Sequence, residues 1–142
     1  MVYVSVTRLR VRSFRFLPVI GFHTWRSWRQ LRTTEGFIGG YLASGPGLAL
    51  WTVTVWTDEA AMRSYRNSPP HLKAMPRLIG SCDEAAVAHW TSEDPTLPSP
   101  AEAAERMKQG RTSKLRHPSV EHAAGKTWPD LKVPLKGPRL TR

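Results

Sequence analysis

His71 is the side chain in this sequence with the most chemical promise. It stands six residues after Tyr65, which itself follows Trp56 by nine. An imidazole among aromatic rings can act as an acid or a base. It can also ligate a metal through whichever nitrogen its neighbours leave free. The plainer role is a polar residue in the first turn of a helix. His23 borders an apolar helical stripe, three residues after Ile20, and His89 lies between Ala88 and Trp90 on an expected strand facing a cavity. Trp25 and Trp56 supply aromatic surface for a small-molecule pocket, although filling a small core is their commoner use. Arg8 and Arg10, at a strand end, offer forked donors for a carboxylate. Such a set suits a flat, apolar, carboxylated ligand, either haem or a polycyclic aromatic acid.

Other chemistries find little support. No two histidines have the i, i+4 spacing of a zinc site on a helix, and Cys82 has no Cys or His at ligand spacing, so no metal site is expected. Glu35, Asp58-Glu59 and Asp83-Glu84 are the acids of the first 91 residues, and each reads as a helix end or strand flank. Nothing resembles a Ser/His/Asp group or a working carboxylate pair. His117 and His122 read as solvated.

The elements that must position these residues follow from periodicity. "VYVSVTRLRVR" alternates, with Val2, Val4 and Val6 on one face and Tyr3, Ser5 and Thr7 on the other, which predicts a first strand. Leu17, Ile20, Thr24, Trp28 and Leu31 recur at helical spacing over about 17–35, closed by Gly36. "FIGGYLAS" and "LALWTVTVW" predict a hairpin around "GPG", with a bulge or close backbone approach at Gly39-Gly40. Asp58 caps a second helix, and a further helical piece begins near Ser68-Pro69 and is kinked or broken at Pro76. "EAAVAHW" over 84–90 is the last strand. The order β-α-β-β-α-β predicts an α+β, ferredoxin-like fold with a four-stranded antiparallel sheet over residues 1–91. Residues 92–142 form a basic C-terminal extension, with a short helix at about 100–109 and an irregular arm beyond 110.

Composition narrows the setting. The chain has 142 residues and a net charge of +10. Seven Arg and no acid precede Glu35. That balance is shared with transit peptides, but alternating residues 2–9 read as a strand instead. No specific nucleic acid is expected, because zinc-finger, phosphate-loop and RNP patterns are missing. A single cysteine rules out an internal disulfide and favours the cytoplasm, and no run is long enough to span a membrane. Helices can cover one side of the sheet only. The third strand carries large apolar groups on both sides, Ala49, Trp51, Val53 and Val55 on one and Leu48, Leu50 and Trp56 on the other. Whichever side the helices leave bare is therefore apolar, and a homodimer is expected to bury it. The extension folding back over its own sheet is the alternative cover.

The element order, the join "TVTVWTDEAAMRSY" and the histidine after it resemble the dimeric α/β-barrel superfamily over about residues 2–91. This group includes antibiotic-biosynthesis monooxygenases and Isd-type haem-degrading monooxygenases. The resemblance implies a small monooxygenase-like oxidoreductase acting on an apolar aromatic or polyene ligand. It is either haem-dependent, with His71 as iron ligand and Tyr65 against the porphyrin, or cofactor-free, with the substrate itself activating oxygen. Whether the chain is an enzyme stays open at this point. The alternative is a non-catalytic dimeric ligand-binding or sensor protein whose basic arm touches an acidic partner.

Overall fold

The computed structural model describes residues 1–45, 47–69 and 71–125, together with backbone pairing at 133–134 and 140–141. Pro46 of the expected turn, Pro70 and most of the arm beyond Gly125 lie outside the described residues.

β1 (Val2–Val11) holds the middle of the sheet, antiparallel to β3 (Ala49–Trp56) on one side and β4 (Cys82–Ser92) on the other. β2 (Phe37–Ser44) pairs with the far side of β3, which gives the order β4-β1-β3-β2. The helices α1 (Leu17–Leu31), α2 (Glu59–Arg66) and α3 (His71–Ser81) supply the crossovers of the ferredoxin-like arrangement.

Local chemistry sets the boundaries. Asp58 accepts from the Ala61 N–H at 2.8 Å and so starts α2. Gly36 takes φ 88°, and a Cβ there would lie 2.5 Å from the Ala61 side chain, so glycine is required where the chain turns into β2. Both expectations at the β2 glycines hold. The register with β3 shifts between Phe37 and Gly39, and a Cβ on Gly40 would lie 2.5 Å from the Val53 carbonyl oxygen. Pro76 does not break its helix. α3 runs through it, and the carbonyl it leaves without a helical donor belongs to Leu72, which is exposed enough to meet water.

On one face of the sheet, α1, α2 and α3 bury Tyr3, Leu31, Phe37, Trp56 and Met62, with Val11, Ile20 and Cys82 forming a second cluster. The other face carries Val2, Val4, Val6, Trp51, Val53 and Val55. That face is not bare. The extension crosses it, and α4 (Pro100–Met107) presses Ala103 and Met107 onto it. The Tyr41 hydroxyl ties the approach down by donating to the Pro98 carbonyl at 2.7 Å. Val6, Trp51, Val53, Val55 and Met107 all have 0% exposure. The reason for expecting a second copy is thereby removed, and the alternative cover is the one observed.

Beyond α4 the extension keeps to the sheet. β5 (Arg111–Thr112) pairs with the outer side of β4. The short α5 (Val120–Ala123) follows, capped by Ser119. β6 (Val133–Pro134) and β7 (Leu140–Thr141) pair with β2, so both outer strands have partners. No described helix is long and apolar enough to cross a membrane.

Candidate functional site

His71 opens α3 under the C-terminal end of α2. Its Nδ1 lies 3.3 Å from the Arg66 carbonyl oxygen. A carbonyl can only accept, so this contact fixes the Nδ1–H tautomer and leaves the Nε2 lone pair as the reactive position. Burial lowers the His71 pKa, the Arg66 carbonyl opposes this, and the Arg66 charge adds to the lowering. The ring is therefore a neutral imidazole with a basic nitrogen to offer.

Gln30 of α1 holds this corner together. Its side-chain oxygen accepts from the His71 N–H at 3.0 Å, and its amide donates to the Tyr65 and Ser68 carbonyls at 3.3 and 3.4 Å. Tyr65 packs on His71 with ring centroids 4.8 Å apart, and Trp56 packs on Tyr65 at 5.3 Å. The Tyr65 hydroxyl donates to the Ser27 carbonyl at 3.3 Å, and burial raises the phenol's pKa well above its ordinary value. Trp56 is fully buried, and its indole N–H donates to the Thr54 hydroxyl at 2.9 Å.

The same side of the sheet carries His89. It lies opposite Ser5, which lies opposite Thr54, so the three form one row across β4, β1 and β3. Its ring is 5.6 Å from Tyr3. Burial lowers the His89 pKa first, followed by the charges of Arg111 and Arg66. Thr7, Thr52, Val87 and His89 are half-buried on this side. His23 also faces inward from α1, and its Nδ1 is buried with no hydrogen-bond partner. An orphaned nitrogen of this kind is a natural contact for a ligand.

Thus His71, Tyr65, Trp56, His89 and His23 all lie in the layer between helices and sheet. The remaining nominated residues do not. Trp25 points outward from α1, 55% exposed, with the Arg29 guanidinium over its ring. Arg8 and Arg10 are on the opposite face, under the extension. Arg8 is buried with its Nη1 2.8 Å from Glu84, while Arg10 forms a two-pronged bond to Asp83 and lies 3.1 Å from Glu84. Their charges are spent on structure. His122, expected to be solvated, is buried beside them, with Nε2 3.1 Å from the Ala85 carbonyl oxygen.

Sequence reading missed Gln30 and Arg66. Nothing local marks Gln30, whose contacts reach 35 to 41 residues along the chain. Arg66 adjoins Tyr65 and is the cation that acts on both His71 and His89. It has no carboxylate partner among the described residues.

No protein-family model and no curated protein matches the chain. Solved structures are similar in fold. A mutant of SnoaB from Streptomyces nogalater, described as a cofactor-independent oxygenase, is 20% identical, with 69% of this chain and 98% of that chain covered at a TM-score of 0.56. Rv0793 from Mycobacterium tuberculosis is 16% identical over 66% of this chain and 97% of its own, at a TM-score of 0.58. A candidate antibiotic biosynthesis monooxygenase from Nitrosomonas europaea is 10% identical over 67% and 93%, at a TM-score of 0.59. Each neighbour is matched nearly end to end, and about a third of this chain is left over, the size of its extension. The chain has the α+β, ferredoxin-like fold of the antibiotic-biosynthesis-monooxygenase-like proteins.

Proposed function

We propose that this protein is a monooxygenase-like enzyme that binds a flat, apolar aromatic or polyene compound on the helix-covered side of its sheet and works without a cofactor. The observation that carries this reading is the state of His71, a neutral imidazole fixed in one tautomer with its basic Nε2 free, stacked on Tyr65. Such a group can take a proton from a phenol or an enol. Arg66 favours the anion that results. An electron-rich anion of this sort can itself react with oxygen, and the protein's part is then to desolvate and orient it. His23, with its unpartnered Nδ1, and His89 are the other polar groups on this side of the sheet. SnoaB, similar in fold, is described as a cofactor-independent oxygenase, which supports the same chemistry here.

Haem fits the set poorly. Neutral His71 has the right donor, with a carbonyl behind it. However, the arginines nominated for its carboxylate groups sit on the opposite side of the sheet, bound to Glu84 and Asp83. The dimer belongs to this reading only if the two copies meet elsewhere than on the face α4 covers. A cytoplasmic location is in keeping with Cys82, a free, buried thiol that burial pushes up to about 12. We divide the chain at residues 91 and 92 into the α/β domain and its extension.

Oxygen uptake with a panel of phenolic and polyene compounds is the test. His71→Ala should lower kcat/KM by about 10²–10⁴-fold for any compound that turns over, as the loss of a general base does. Activity in the wild type should rise with pH as His71 loses its proton, below the ordinary imidazole value of 6.5. Turnover that His71→Ala leaves unchanged rejects this assignment. Ligand binding with no oxygen consumption by any compound instead selects the non-catalytic binding protein. A sharp Soret band with added haemin that collapses in His71→Ala would bring haem back.

A further inference from the structure

α1 turns an unusual surface to water. Its inner side, Ile20, His23, Ser27, Trp28 and Leu31, faces the sheet and α3. Its outer side should be polar, yet Phe22 is 52% and Trp25 55% exposed, and Val19 and Leu17 are 36% and 39% exposed. Phe14, in the 3-10 turn before α1, is 75% exposed and prolongs the stripe. Pro18, Phe22 and Trp25 fall at i, i+4 and i+7, which places them on one line along the helix.

Arginines flank this line and lie along it. The guanidinium of Arg26 sits 5.6 Å from the centre of the Phe22 ring, and that of Arg29 sits 5.0 Å from the Trp25 ring. Arg15 lies over Phe16 at 4.8 Å. None of Arg15, Arg26, Arg29 and Arg32 has a carboxylate partner among the described residues, and no acid precedes Glu35. Whatever covers this face must therefore be both anionic and apolar.

We propose that the outer face of α1 docks on an anionic lipid surface, with Phe14, Phe22 and Trp25 entering the headgroup–acyl boundary and the flanking arginines binding lipid phosphates. The shape favours lipid over protein. A single helix presents a convex ridge, and a fluid surface takes up a ridge without needing a complementary groove. Tryptophan with arginine at its edge is suited to the interface, because the ring is amphipathic and the long charged side chain can reach back to the phosphates. Nucleic acid would answer the arginines but offers no apolar interior for Phe14, Leu17, Val19 and Phe22. This inference uses none of the residues of the proposed catalytic site.

Sedimentation of the full chain with vesicles tests it. Phosphatidylcholine vesicles containing phosphatidylglycerol should bind the protein at low salt and release it as salt rises, and pure phosphatidylcholine should bind far less. Phe22→Ser with Trp25→Ser, and separately Arg26→Glu with Arg29→Glu, should each weaken partitioning by about tenfold or more. These side chains are exposed, so circular dichroism and the melting temperature should stay near wild type. Leu72→Ser removes an apolar residue that is 48% exposed but lies outside the stripe, and it should bind like wild type. The proposal fails if the wild type ignores anionic vesicles, if both folded double variants bind as well as wild type, or if single-stranded RNA binds and vesicles do not.

Discussion

His71 stood out in the sequence as a histidine opening a helix shortly after Trp56 and Tyr65, but what fixes its state was not legible there. Its tautomer depends on the Arg66 carbonyl and its position on Gln30, and neither could be found without knowing that α1 lies against α3. Arg8 shows the opposite error. Read alone, it is a donor awaiting an anionic ligand. In the fold, β1 and β4 pair Arg10 with Glu84 and Arg8 with Ala86, which brings two guanidinium groups to one buried carboxylate. Titration of the histidines has a stability consequence. His71 and His89 both have pKa values lowered from 6.5 by burial, so between the folded values and 6.5 the unfolded chain binds more protons. Stability should therefore be level above pH 6.5 and fall as pH drops below it. Urea unfolding followed from neutral to mildly acidic pH should show the decline, and His71→Gln should reduce its slope. An equal slope in that variant would mean His71 is not neutral in the folded state.

The elements were easier to read than their orientations. β1 and β3 were the most legible strands because alternation of Val, Tyr, Trp and Thr is a strong periodic signal, β2 and β4 offered only short apolar runs, and Ser99 marked the start of α4. The side of α1 that faces inward was only half legible. Leu17 and Ile20 both belong to an apolar helical repeat, yet Ile20 is buried and Leu17 is exposed. A helix carrying aromatics all round gives no clean moment, and the sheet and α3 decide the rotation. For α4 the difficulty was the destination. Two of its apolar residues, Ala103 and Met107, have 0% exposure, and such a short face gives no hint of what it meets. Because Met107 is fully buried in the cluster on the sheet's second face, Met107→Ala should cost about 2–5 kcal/mol, measurable as a lower urea midpoint with an unchanged slope. A change below about 0.5 kcal/mol, the scale of a surface substitution, would mean that α4 rests on the sheet without stabilising it.

At the scale of the whole molecule, the apolar strength of both sides of the sheet was legible, and of the two covers expected for the second face the chain's own extension is the one found there. The difference is topological. Composition shows that Trp51, Val53 and Val55 must be buried, but a second copy and the chain's own last third satisfy that requirement equally well. The cluster of buried Arg8 and Glu84 with half-buried Arg10 and Asp83, which Ser119 joins through a 3.4 Å bond to Glu84, holds the extension at the opposite end of the same face. The full chain should therefore give the mass of one copy in light scattering at micromolar concentration. A chain ending at Ser92 should self-associate through the uncovered valines and Trp51. A truncated chain that stays single at the same concentration would show that this face tolerates water. The cover also arrives late in time. Residues up to Ser92 can pair β1 with β3 and β4, and β3 with β2, while α4 is still inside the ribosome, so the newborn domain passes through an interval with one greasy side open. Translation pausing or premature termination in that interval would make it a client for chaperones.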